Sequence, residues 1–262
     1  DEIKQISDAL GDRVAAVYDG ILPHVPRTCV LKAAAAARKV NADLIVTVGG
    51  GSVTDAGKLI PLALKYNWLE HDDLEPYRVY VDDAGETIMP VFDAPDIRIV
   101  CCPTTLSGGE FYFLAGATDE TVGHKQGYAH LQMAPVSIVL DPQLTLHTPK
   151  WLWTSTGIRS LDHALETLGS FQSSTFCDAM ADGALRHLYE ALPVVHADPD
   201  NLEARLRCQI GVWLSMTPIV AGVPMGASHA IGHILGGTCD VPHGYCSCVM
   251  APAVLDFNWE MN

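Results

Sequence analysis

Four histidines and a run of three glycines are the residues of this chain best placed to do chemistry. His229 and His233 stand four apart in Gly226-Ala227-Ser228-His229-Ala230-Ile231-Gly232-His233. A helix would put both on one face. His243 follows in Val241-Pro242-His243-Gly244, a turn signal, and His163 sits in a separate helical stretch, Leu161-Asp162-His163-Ala164. Brought together in a cleft, these imidazoles could ligate a divalent metal or relay a proton near neutral pH. Taken singly, each is more often a satisfied core or surface histidine.

Gly49-Gly50-Gly51-Ser52-Val53-Thr54-Asp55-Ala56-Gly57-Lys58 follows an apolar strand pattern and opens a helical one. Glycines let backbone approach a ligand closely, and a helix start offers unpaired N–H groups at its positive end, which suits a pyrophosphate. Ser52 is a candidate cap for that helix. Two better-known phosphate loops do not fit. A Walker A loop needs glycine where Ser52 stands and Ser or Thr where Leu59 stands, and the G-x-G-x-x-G loop needs glycine at Thr54. A plain tight strand-to-helix turn is the bland alternative.

The elements that would carry these groups change character along the chain. The pattern predicts a helix over 2–10, a strand over 13–18, an Ala-rich helix over 28–41, a buried strand over 43–48 and a helix over 52–66. Further buried strands are expected at 97–102 and 136–140. From Pro149 onward the patterns are helical, over 157–170, 176–192, 201–222 and 226–236. The expected fold class is therefore α/β with a parallel sheet, followed by an all-α domain. The boundaries expected are 1–148 and 149–262, with ligands in the cleft between the domains.

Composition narrows the partners. The net charge of −15 argues against nucleic acid and anionic membrane surfaces, both of which want basic patches. No run reaches the ~20 apolar residues of a membrane span. Eight cysteines without a C-x-x-C pair read as reduced thiols of a cytoplasmic protein. Cys246 and Cys248 are two residues apart, a poor spacing for sharing a metal.

Four segments together resemble the iron-containing alcohol dehydrogenase superfamily, with its dehydroquinate synthase-like fold. They are Asp43–Lys58, Cys102–Glu110, Gly157–Glu166 and Gly226–Gly244, in the family's order. Thr104-Thr105-Leu106-Ser107-Gly108 and Gly157-Ile158-Arg159-Ser160-Leu161-Asp162-His163 are most similar to its maleylacetate reductase-like branch. The resemblance implies an NAD- or NADP-dependent oxidoreductase, commonly dimeric, acting on a small keto acid or alcohol. It implies that Gly50, Gly51, Ser52 and Asp55 hold the pyrophosphate and nicotinamide side. Thr104 and Thr105 would lie along the cofactor and Lys125 near its ribose. His163, His229 and His243 would ligate iron or zinc, and His233 would relay protons beside the reacting carbon. The resemblance further implies a β-α-β stretch before this sequence and more helices after it.

One position departs from the family. The fourth metal ligand is an aspartate four residues before the first ligand histidine, and here that residue is Arg159. Asp162, about 100° around the helix from His163, looks like a poor replacement. A guanidinium repels a metal ion, stays protonated and can grip a carboxylate with two hydrogen bonds. This favours reduction of a 2-en-4-one dicarboxylate such as maleylacetate, or a related keto acid, with Arg159, His233 and His243 at the reacting centre. The bland alternative has Arg159 facing solvent or pairing with Asp162 or Glu166. Three other readings stay open: a metal-dependent alcohol dehydrogenase, a relative that returns its cofactor unchanged, and a silent binding or assembly module.

Overall fold

The computed structural model describes residues 2–239 and 241–259, and for residues 237, 238 and 243 the backbone alone. The chain divides into two compact units, both discontinuous. One is Asp1–Pro103 with Phe113–Val139, and the other is Thr104–Tyr112 with Leu140–Asn262.

In the first unit, helices α1 (Glu2–Leu10) and α2 (Arg27–Lys39) precede strand β1 (Leu44–Gly49) and helix α3 (Gly51–Lys65). Short strands β2 (Tyr80–Val81) and β3 (Thr87–Ile88) follow, then β4 (Arg98–Pro103), β5 (Leu114–Asp119), β6 (His124–Ala129) and β7 (Ser137–Ile138). The main sheet has the order β1-β4-β7, all parallel, with Gly49 level with Pro103. β5 and β6 form a separate antiparallel hairpin in which Gly116 faces Gly127. Val30, Leu59, Leu62, Trp68 and Tyr128 anchor the core.

Two local expectations fail here. Residues 14–18 form no strand; Val17 and Tyr18 are exposed and no described strand pairs with them. An apolar run becomes a strand only where a neighbour takes its N–H and C=O groups. Likewise β1 is not buried on both faces. As an edge strand it turns Thr47 toward cover, while Leu44 and Val46 are 46% and 43% exposed on the opposite face.

α3 lies close on β1 at Gly57, where an added Cβ would overlap Cγ2 of Thr47. A β-branched threonine has little freedom to swing away. Alanine in place of a helical glycine should gain about 1 kcal/mol of propensity, but overpacking costs about 1–3 kcal/mol. Gly57→Ala should therefore lower the urea midpoint, and a raised midpoint would show that the contact yields.

The second unit is built from α4 (Lys150–Leu168), α5 (Thr175–Ala197), α6 (Leu202–Val220), α7 (Ala227–Cys239) and α8 (His243–Asn258). Leu106, Trp153, Leu188, Cys208 and Val212 fill its core. The α/β-then-helical class expected from the sequence is the one observed. α8 is the element the pattern did not announce, since Pro242-His243-Gly244 reads as a turn and turns out to start a helix with Pro242 before its first residue.

Candidate active site

The glycine segment in the first unit is an open helix start. Gly50 precedes α3 at φ −83°, ψ −171°, and its carbonyl accepts the N–H groups of Val53 and Thr54 at 2.9 and 3.1 Å. The amides of Gly51 and Ser52 then have no acceptor within the helix. No side chain caps the helix. Ser52, expected as the cap, stands inside the first turn because Gly50 takes the preceding place. The end of a parallel strand with bare amides at a helix start is where an open α/β sheet holds a dinucleotide phosphate.

Asp55, in the same helix, accepts a hydrogen bond of 3.0 Å from Lys125 Nζ of β6. The lysine is 49% exposed, and such a pair contributes about 0–1 kcal/mol. Both side chains are thus cheaply available to a ligand. Sequence reasoning missed Lys58. It is fully buried among apolar neighbours and its Nζ donates to the Leu114 carbonyl at 2.8 Å, tying α3 to β5. A lysine inside the run Ala56-Gly57-Lys58-Leu59-Ile60 was the available signal.

In the second unit, Thr104 and Thr105 belong to a segment held by hydroxyls of α4 and of Thr148 just before it. Thr148 Oγ1 donates to the Thr104 carbonyl at 2.6 Å, Leu106 N donates to Thr156 Oγ1 at 3.1 Å, and Ser160 Oγ donates to the Leu106 carbonyl at 2.5 Å. The Thr105 hydroxyl shares a 3.1 Å hydrogen bond with Ser107.

α4 also carries a dense cluster of polar side chains. At about 100° per residue, Asp162, Glu166, Arg159 and His163 fall within one ~100° arc. All four are largely buried, with Asp162 and His163 at opposite edges of the arc. Glu166 takes the start of α7, accepting from Gly226 N at 3.0 Å, Ser228 N at 2.7 Å and His229 N at 3.4 Å. Its other contact is His229 Nδ1 at 2.6 Å. Asp162 accepts the Ser228 hydroxyl at 2.7 Å. His229 is thereby fixed from behind, with its ring stacked on His163 at 4.8 Å between centroids. Among the described residues its Nε2 meets no hydrogen-bond partner.

The two carboxyls are pushed in opposite directions. Burial works to raise Glu166, but the hydrogen bonds from His229 and the amides of Gly226 and Ser228 hold it below the ordinary range. Burial raises Asp162, and its hydrogen bond from Ser228 only partly offsets that. A depressed carboxyl contributes stability present above its unfolded pKa and lost as pH falls through the folded one. Glu166→Gln should therefore flatten the acid limb of the stability profile while lowering stability at neutral pH. An acid limb identical to the wild type would refute this.

Arg159 is 8% exposed, and burial pulls its pKa down to about 10 against the attraction of Asp162, Cys246 and Glu166. It remains a cation at neutral pH. It neither faces solvent nor forms an ion pair among the described residues, and its Nη1 is buried without a hydrogen-bond partner. Asp162, Glu166 and His229 do bring ligand atoms within 4.8 Å of one another. Those atoms are already spent on Ser228, the α7 amides and each other, and a buried guanidinium stands on the same helix face. The residues present do not fit a divalent-metal seat of one aspartate and three histidines. His233 is exposed, so it does not share the buried environment of His229. The side chain of His243 lies outside the described residues. All eight cysteines are free, and none joins the carboxylate–histidine cluster among the described residues.

Comparison with known proteins accounts for nearly the whole chain. Residues 1–142 match the family model for iron-containing alcohol dehydrogenase, and residues 153–262 match the C-terminal model of the same family. A dehydrogenase of Alternaria alternata is 35% identical over 97% of this chain and 68% of its own length. The crystal structure of maleylacetate reductase from Agrobacterium tumefaciens superposes with a TM-score of 0.81 at 28% identity, covering 99% of this chain and 64% of that one. Sulfoacetaldehyde reductase from Bifidobacterium kashiwanohense, solved in complex with NAD+, superposes with a TM-score of 0.83 at 26% identity, covering 98% and 65%. The chain thus spans about two thirds of the length of these relatives.

Proposed function

This chain belongs to the iron-containing alcohol dehydrogenase family, in its maleylacetate reductase-like branch, and we propose that it transfers hydride between NAD or NADP and a small carboxylated carbonyl compound. The division of labour follows the sequence reading: residues 1–148 hold the cofactor and residues 149–262 the substrate. When bound, the nicotinamide supplies or accepts the hydride. The amides of Gly51 and Ser52 hold the pyrophosphate, Asp55 and Lys125 exchange their weak pair for cofactor contacts, and Thr104 and Thr105 flank the ring. Arg159 holds a substrate carboxylate or polarises a carbonyl, while His233, with His243, moves the proton to the reduced oxygen or carbon. His163 and His229 serve as hydrogen-bonding groups rather than as ligands of iron or zinc.

The observation that carries this reading is the buried Arg159 with an unused donor. A buried guanidinium with an unsatisfied donor costs stability that a substrate anion can recover. Such a site favours a keto or enone dicarboxylate, in keeping with the similarity to maleylacetate reductases. Oxidation of NADH and NADPH should be followed with maleylacetate, with smaller keto acids and with uncharged aldehydes. Turnover fastest on the dicarboxylate is expected, and equal rates on uncharged aldehydes would refute the substrate class. The reading also carries a homodimer in the cytoplasm. No described helix is long and apolar enough to cross a membrane.

A further inference from the structure

The second unit contains a cavity of about 210 Å³ lined by none of the residues assigned above. Lys150, His196 and Arg205 stand in its wall, with Trp153, Thr148 and Pro199, and no carboxylate is among its described lining residues. Three basic side chains around one hollow run against the composition of a chain whose net charge is −15.

Arg205 is built in rather than adventitious. It is 2% exposed, its Nε donates to the Pro199 carbonyl at 2.6 Å, and its Nη1 donates to the carbonyl and hydroxyl of Thr145, both at 3.0 Å. Its guanidinium lies 4.6 Å over the Trp153 ring. These contacts engage Nε and Nη1 and lock the orientation of the guanidinium. Among the described residues Nη2 makes no hydrogen bond, which leaves it available to a ligand in the hollow that Arg205 lines. The Trp153 indole N–H is also buried without an acceptor. Asp200 acts on Arg205 electrostatically but stands outside the lining.

The third feature is the start of α4. Lys150 is its first residue, and Leu152 N and Trp153 N bond back to the Pro149 carbonyl at 2.9 and 3.0 Å. The amides of Lys150 and Trp151 precede the first intrahelical bond, so the positive end of a 19-residue helix opens beside Lys150. A buried cation with no carboxylate in the cavity wall, a lysine, an imidazole and bare helix amides share one preference, a compact anion with several acceptor oxygens.

We propose that this cavity is a binding site for a small oxyanion of the phosphate class, gripped by Arg205 Nη2, Lys150, His196 and the first amides of α4. The site stands apart from the hydride-transfer reading and does not depend on it. The apolar wall of Leu146 and Val195 leaves room for a short organic stem.

Inorganic phosphate titrated into the full chain at constant ionic strength, read by calorimetry, tests the site. Saturable binding in the millimolar range is expected, weakened about tenfold or more in the Lys150→Ala/His196→Ala double variant. Both changes lie at exposed side chains, so the variant should fold. Glycerol 3-phosphate forms a second arm: tighter binding than phosphate identifies a phosphate monoester, equal binding identifies the free anion, and either supports the site. Arg205→Gln should abolish binding if it folds, and the surface double variant decides the matter if it does not. No saturable binding, or equal affinity in wild type and double variant, would overturn the proposal.

Discussion

Gly50→Val should fold, and should lose about 100-fold in affinity for NADH. The first half of this expectation comes from the backbone. Gly50 sits at φ −83°, in the extended region open to every L-residue, so the turn itself does not demand glycine. Valine is a poor residue before a helix, and about 1 kcal/mol is the expected loss of stability. The second half comes from space. The bare amides of Gly51 and Ser52 can reach a pyrophosphate only if nothing stands above them, and charge-assisted hydrogen bonds contribute about 1.5–3 kcal/mol each. Losing two of them is worth about two powers of ten or more in the dissociation constant. The measurement is a fluorescence titration with NADH beside a thermal melt. A variant that melts near wild type and binds NADH normally would mean that the glycines are merely a tight turn.

That experiment separates two readings that the sequence left level. The glycine run was legible as a strand-to-helix turn from residue types alone, because Gly49-Gly50-Gly51 follows Leu44-Ile45-Val46-Thr47-Val48 and precedes a helical period. The role of Gly57 was hidden. Its closeness to Thr47 depends on how α3 lies against β1, a tertiary fact that no local pattern encodes. The failure at 14–18 has the same origin. Val14-Ala15-Ala16-Val17-Tyr18 has strand propensity, but pairing is decided by neighbours, and among the described residues none is there. The β5–β6 hairpin escaped notice for a complementary reason. Leu114-Ala115-Gly116-Ala117 and His124-Lys125-Gln126-Gly127 are rich in small and polar residues that carry little strand signal.

In the helical unit, the spacing of His163, Asp162 and Glu166 was visible in the sequence, but not what it meets. Measured from His163 alone, Asp162 lies far around the helix. It stands at one edge of the polar face, next to Glu166, with His163 at the other edge. What the sequence could not announce is that Glu166 receives the start of α7, sixty residues away in the chain, and so fixes His229 through the amides of Gly226 and Ser228. A carboxylate at a helix start is a familiar stabiliser, but only the fold says which helix it meets.

Arg159→Ala is expected to raise the Michaelis constant for a dicarboxylate about 100-fold or more while leaving NADH binding intact. Two charge-assisted hydrogen bonds from a planar fork, made where water is excluded, account for that magnitude. Arg159→Lys should recover little of it, because a point charge on a flexible stem cannot reproduce the fork. The rival reading is that the guanidinium only balances Asp162 and Glu166. Both readings predict some loss of stability, since Arg159 is buried beside those carboxyls, so a melt cannot decide between them. The ratio of kcat/KM for a dicarboxylate to that for its uncharged analogue can. A charge-balancing arginine would lower both values together and leave the ratio alone, whereas a carboxylate-binding arginine collapses the ratio by the factor lost in KM. A ratio unchanged in the alanine variant would remove the anionic substrate from the reading and with it the reason for the family's aspartate having become Arg159.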